Sequence, residues 1–175
     1  MRQFFLSLLE VLEVFAVALV SIYLVYTFIA QPFRVEGSSM EPNFSGGDYL
    51  VVDEISYRFR NPERGEVVVL HNPTNEAEFF IKRIVGLPGE EVVIRGNEIY
   101  IDGELIEEEY LPLDLTLKEN YVFQLNNSQY FMMGDNRSQS YDSRNWGPLM
   151  REGIVGVVRA RVWPVMTLEN YEDNG

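Results

Sequence analysis

The chain has no cysteine among its 175 residues and a single histidine, His71. The first absence removes disulfides, a thiolate nucleophile and thiolate metal sites, and it fits either side of a membrane. A zinc site would have to be built almost wholly from carboxylates, a donor set zinc rarely accepts. No metal and no cofactor is therefore expected. A Ser-His-Asp triad could be assembled only through His71, which stands beside Asn72-Pro73 and reads as a turn histidine. The glycines form neither a phosphate-binding loop nor a dinucleotide fingerprint. Lysine occurs only at Lys82 and Lys118, and the formal net charge is −13. A basic stripe able to neutralise phosphates is thus lacking, and nucleic acid is not an expected partner. The acidic excess is local, in Glu104, Glu107, Glu108 and Glu109 and again in Glu169, Glu172 and Asp173. Both runs read as solvated surface. There is no internal repeat and no low-complexity segment.

Hydrophobic residues make up 46% of the chain and charged ones 23%, the balance of a globular protein with one good-sized core. One long apolar run stands out. Val14 to Ala30 is seventeen residues without a charge, near the lower limit of about 17 for crossing a bilayer. It is apolar on every face, whereas a helix packed on so small a domain should be amphipathic. A cleaved secretory signal is the other alternative. The run is longer than a usual signal core, and Phe28 stands where a small residue should precede a cut after Ala30. A retained transmembrane anchor over residues 9–30 is the expectation, with 1–8 as a short cytoplasmic arm. Arg2 before the span and Arg34 after it give the positive-inside rule little leverage.

Beyond Pro32 the pattern changes to short β-branched runs between turn residues. Candidate strands are Tyr49–Asp53, Glu66–His71, Phe79–Val85, Glu91–Arg95, Glu98–Ile101, Tyr130–Met133 and Val155–Val162. Gly96-Asn97 separates two alternating runs by two residues and predicts a tight hairpin. No long amphipathic helix is expected after the anchor. The body, 31–168, reads as mainly β, with an acidic tail at 169–175.

Two segments could carry chemistry: the Gly/Pro-bounded turn GSSMEPNF, Gly37–Phe44, and the strand FFIKRIV, Phe79–Val85. Alternation places Phe80, Lys82 and Ile84 on one face, so an apolar setting for the first and last includes the lysine. A lysine base needs this. With an ordinary pKa of ~10.4, fewer than about one amine in a thousand is neutral near pH 7, and burial without a counter-charge lowers that pKa by several units. A neutral amine can then take a serine hydroxyl proton. The residues alone do not choose between Ser38 and Ser39.

Four segments, in order, resemble the motif boxes of bacterial type I signal peptidases, which are Ser-Lys serine proteases. They are QPFRVEGSSMEPNF (Gln31–Phe44), RGEVVVL (Arg64–Leu70, with Glu66 in place of the usual Asp), IKRIVGLPGE (Ile81–Glu90) and GDNRSQSYDSRNWGP (Gly134–Pro148). The resemblance implies an antiparallel β-sheet catalytic domain and a membrane-bound endopeptidase. Such an enzyme removes signal peptides from exported preproteins after small residues of the Ala-X-Ala type, through an acyl-enzyme, on the extracytoplasmic side of the plasma membrane. Its partners would be preprotein signal peptides and the lipid bilayer. Carried onto this chain, the resemblance makes Ser39 the nucleophile and Lys82 the general base. Ser140 would orient the lysine, and Arg83, Asp135, Asp142 and Arg144 would support the site. Phe33, Val35, Met40, Phe44 and Ile81 would wall the substrate pockets. Some relatives add a serine hydroxyl to the oxyanion hole two positions before the nucleophile. This chain has Gly37 there, which leaves the backbone N–H of Ser39, with Ser38 a weaker substitute. The stretch 106–129 corresponds to a reduced accessory insertion. A self-cleaving repressor of related fold would lack the N-terminal span, and an inactive tethered β domain need not keep Ser39, Lys82 and Ser140 together.

Overall fold

The alternating runs beyond Pro32 fold into two antiparallel sheets. The computed structural model describes residues 2–28, 31–112 and 120–163. Helix α1 (Arg2–Phe28) is followed by β1 (Gln31–Arg34), β2 (Tyr49–Asp53), β3 (Val67–Asn72) and β4 (Asn75–Gly86). Then come β5 (Glu91–Arg95), β6 (Glu98–Ile101), β7 (Glu104–Leu105), β8 (Asn120–Gln124) and β9 (Gln129–Met133). A four-residue helix α2 (Ser143–Trp146), β10 (Leu149–Met150) and β11 (Ile154–Trp163) complete the described order. The larger sheet runs β1-β2-β11-β3-β4-β9-β10 and the smaller β7-β6-β5-β8. The expected two-residue hairpin joins β5 to β6, with Arg95 opposite Glu98 and Gly96 at a φ of 58°. That positive φ suits glycine, which carries no Cβ.

Strands absent from the sequence reading have physical reasons to be hidden there. β1 contains Pro32, which can give no ladder N–H, and it survives because, among the described residues, it is an edge strand paired with β2. β8 carries polar ends around Tyr121–Phe123 and is ordered by pairing with β5.

Between the sheets lies a cluster of Val85, Val92, Ile94, Ile99, Ile101, Leu125, Phe131 and Met133. Each such side chain, fully buried, stabilises the fold by about 1.5–3 kcal/mol. Gly86, the last residue of β4, is packed here without room for a side chain, since a Cβ would strike Val92, Leu125 and Phe131. A second cluster, Val35, Met40, Leu50, Val52, Val67, Val69 and Ile81, underlies the turn that carries Ser39.

The N-terminal stretch is helical, but its role as a span is not shown. Among the described residues no helix is long and apolar enough to cross a membrane, and residues 29–30 of the expected anchor lie outside the described residues. Every side chain from Leu6 to Ile22 is exposed, with Val14 at 70% and Phe15 at 66%. The acidic tail at 169–175 and residues 113–119 of the expected insertion also lie outside the described residues.

Candidate active site

Register brings the lysine to the serine. On β4, Lys82 stands opposite Val68 of β3, between Phe80 and Ile84, which pack with Val68 and Leu70 in a third core cluster. Its residue is only 3% exposed. Ser39 sits on the turn between β1 and β2, whose ends are closed by Val35 N–H to the Asp48 carbonyl (2.8 Å) and Gly47 N–H to the Val35 carbonyl (2.9 Å). Met40, 1% exposed, pins this turn into the underlying cluster. Asn136 holds it from the other side, its N–H donating to the Ser39 carbonyl (3.0 Å) and its Nδ2 to the Ser38 carbonyl (3.1 Å). The outcome is a 2.8 Å hydrogen bond between Lys82 Nζ and Ser39 Oγ. Lys82 Nζ also donates to the Ile81 carbonyl at 2.9 Å. Ser38 turns elsewhere, its Oγ reaching Gln139 at 3.3 Å. The tertiary contact thus separates two serines that sequence chemistry alone left equivalent.

Burial pushes the Lys82 amine down to about 8, against the pull of the Asp142 and Asp135 carboxylates and with a further push from the Arg144 guanidinium. No counter-ion touches the amine among the described residues. The carboxylates that could have neutralised it are engaged by arginines instead. Arg83 grips Asp135 with Nε at 2.8 Å and Nη2 at 2.6 Å, and Arg144 grips Asp142 with Nε and Nη2, both at 2.9 Å. Neither pair is a surface pair, because both aspartates are buried. Asp142 also caps α2 and accepts the Gly134 N–H at 3.0 Å.

Not every expected residue meets the Ser39–Lys82 pair. Ser140 Oγ makes no hydrogen bond to Lys82; it is buried beside Gly134, without a partner among the described residues. Phe33, Val35 and Ile81 do line a cleft of about 410 Å³ together with Ser39 and Lys82. Met40 and Phe44 do not line it; both pack in or against the cluster beneath the turn. The cleft adds Phe79 and Phe80, and the Phe33 and Phe79 rings meet edge to face at 5.5 Å.

The acidic run needs correction. Glu108 is not solvated surface: its side chain is 7% exposed and binds Arg137, itself 1% exposed, through both carboxylate oxygens. Asn43 is another residue the sequence did not single out, donating to Asp135 at 2.8 Å and to the Tyr110 carbonyl at 2.8 Å. The available signal was Arg137 itself. An arginine placed four residues after the buried run Tyr130–Met133 requires a counter-charge, and one had to be found elsewhere in the chain.

Among known proteins the resemblance is broad. The family model for signal peptidase, peptidase S26, matches residues 8–163. The chain belongs to the signal peptidase family. A signal peptidase I of Leptolyngbya laminosa is 37% identical over 92% of this chain and 82% of that protein. Signal peptidase IB of Staphylococcus aureus is 34% identical over 90% of this chain and 91% of that protein. A probable signal peptidase I-2 of Synechocystis is 42% identical over 79% of this chain, the match spanning 66% of that protein's length. The crystal structure of a signal peptidase I from Enterococcus faecalis superposes with a TM-score of 0.51 at 27% identity. It covers 57% of this chain and 98% of that one. The signal peptidase relatives make this chain a serine peptidase, a hydrolase of peptide bonds, and its mainly β body agrees with that neighbour.

Proposed function

We propose that the chain cleaves signal peptides from exported preproteins with Ser39 as nucleophile and Lys82 as general base. The observation that carries this reading is the 2.8 Å contact between Lys82 Nζ and Ser39 Oγ at an amine buried without a counter-ion. With the amine neutral, Ser39 O–H donates along that line to Nζ. As Oγ bonds to the scissile carbonyl carbon, Nζ takes the proton and becomes an ammonium. Collapse of the tetrahedral intermediate breaks the C–N bond, and the ammonium returns a proton to the leaving amine. The neutral amine then takes a proton from water as the water oxygen attacks the acyl carbon; the C–Oγ bond breaks, Oγ takes the proton back from Nζ, and the carboxyl product leaves with Ser39 regenerated. The developing oxyanion would be met by the Ser39 backbone N–H. Gly37, at a φ of 80°, supplies no hydroxyl, and a side chain there would carry backbone strain.

Ser140 Oγ, buried and unpartnered, is the acceptor we assign to the Lys82 ammonium once the proton has moved. Arg83–Asp135 and Asp142–Arg144 act as supports that keep carboxylates off the amine. The apolar cleft narrowed by Phe33 and Phe79 suits small side chains of the Ala-X-Ala type. Residues 31–168 form the catalytic unit in this reading. We further read 9–30 as a single-pass anchor in the plasma membrane with the body on the extracytoplasmic side. What supports it is the apolar surface that α1 leaves exposed from Val14 to Val20, and a serine only nine residues past Ala30, near the plane where a substrate's cleavage region emerges.

The test is cleavage of a preprotein in detergent, with the new N-terminus read by mass spectrometry. Ser39→Ala and Lys82→Ala should each abolish it, and undiminished cleavage by either sinks the dyad. Flotation with lipid vesicles tests the anchor. The full chain should float, the double variant Leu19→Asp, Val20→Asp should not, and equal flotation of both refutes it.

A further inference from the structure

The dyad stands at the end of a buried chain of contacts that begins in the acidic run. Residues 106–112 leave the smaller sheet after β7 and cross to the turn that follows β9. There the Glu108 carboxylate holds Arg137 by both oxygens, and Arg137 Nε donates to the Gly134 carbonyl at 3.1 Å. Arg144, gripped by Asp142, donates to the Arg137 carbonyl at 2.6 Å. Gly134 is therefore clamped on both sides, its N–H on Asp142 and its carbonyl on Arg137. It is also the point of closest approach in the site. A Cβ at 134 would collide with Ser140 Oγ and with the Ser39 carbonyl oxygen, so the position of this peptide decides where both serines stand.

We propose that Glu108 is a positioning residue of the reaction, setting the Gly134 peptide through Arg137 and thereby the placement of Ser39 and Ser140 about Lys82. Two observations separate this from ordinary packing. Glu108 is drawn out of a run of three glutamates to be buried, while Glu107 and Glu109 stay exposed. Its carboxylate also takes a second buried donor, the Tyr110 hydroxyl. Burial and the Glu108 charge hold that hydroxyl well above the usual range, so it remains a donor. The Tyr110 ring in turn covers the Arg83 guanidinium, with the charge 3.8 Å from the ring centroid, and so ties the same segment to the Arg83–Asp135 pair. A shift of about 1 Å in a site of this kind costs up to about 10²-fold in rate without loss of substrate affinity.

The inference rests on the Ser39–Lys82 reading. Its test uses the full chain in detergent with a preprotein substrate, well below each variant's unfolding midpoint. Glu108→Gln keeps the shape and removes the charge. We expect kcat to fall about tenfold with KM within about twofold. Arg137→Gln should lose a similar amount and the double variant little more, since both act on one peptide. A kcat unchanged in folded Glu108→Gln, with only its unfolding midpoint lowered, overturns the proposal. So does full additivity in the double variant. If neither single variant folds, Tyr110→Phe removes only the hydroxyl on Glu108: a kcat at least about twofold lower supports positioning, and an unchanged kcat overturns it. Ser39→Ala, run alongside, separates the two readings. An active Ser39→Ala defeats the serine assignment, whereas an inactive one beside an unimpaired Glu108→Gln defeats only this inference.

Discussion

Cleavage should rise tenfold per pH unit up to about pH 8 and level off above it. The perturbation is protonation of Lys82, whose amine titrates near 8 instead of 10.5 because burial disfavours its charged form. At pH 7 an ordinary lysine is neutral in about one molecule in 3,000, and one titrating at 8 in about one in 11. The gain in competent base is about 300-fold, or about 3 kcal/mol. The assay is kcat/KM against a preprotein-derived peptide from pH 5 to 11 at constant ionic strength. A second perturbation fixes the sign of the local field. The Asp142 carboxylate raises the Lys82 pKa and the Arg144 guanidinium lowers it. Asp142→Asn removes the first and leaves the second, so the ascending limb should move to lower pH. A wild-type limb at or above pH 10, or an upward shift in folded Asp142→Asn, refutes the reasoning that the fold and its arginines free the base.

The same burial costs stability. The unfolded chain binds the Lys82 proton up to about 10.5 and the native one only to about 8. The penalty is therefore full below 8, about 3 kcal/mol, and vanishes above 10.5. Lys82→Met should raise the unfolding midpoint at pH 7 while abolishing cleavage, with the difference shrinking towards pH 10.5 in scanning calorimetry. Ser38→Ala should keep near wild-type kcat, since its hydroxyl turns to Gln139 at 3.3 Å and not to Lys82, whereas Ser39→Ala loses it; equal losses in a peptide assay would count against the assignment. Gly134→Ala should cost about 1–3 kcal/mol in urea unfolding and at least about tenfold in kcat, because the new methyl displaces Ser39 and Ser140. Asp142→Asn removes the buried carboxylate that Arg144 grips, so a loss of about 3–5 kcal/mol is expected in the same unfolding assay.

Local chemistry carried a good part of the architecture. Alternation around Gly96-Asn97 predicted a hairpin, and β5 and β6 pair across those two residues. The apolar neighbours of Lys82 predicted a lysine on a buried face, because strand periodicity places Phe80 and Ile84 beside it whatever the rest of the chain does. The same reasoning failed for Glu108. Three consecutive glutamates have the local signature of a solvated surface, and nothing in their own neighbourhood distinguishes the middle one. Its burial depends on Arg137, 29 residues away. β1 was illegible for a related cause: Pro32 argues against a strand unless its place at the sheet edge is known.

What the sequence by itself determined, then, is periodicity and inventory: a β body, a charge-free N-terminal run from Val14 to Ala30, and a chain without the cysteines or spare histidines that other chemistries require. The tertiary structure decided which serine faces the lysine and which carboxylates are taken up by arginines, leaving the amine without a counter-ion among the described residues. Those outcomes are long-range. Ser39 and Lys82 are 43 residues apart and meet at 2.8 Å only once β1, β4 and the Gly134 turn are packed together. A side chain's local pattern reports the face it will occupy, but its chemistry is set by the charges and donors that distant segments bring against it.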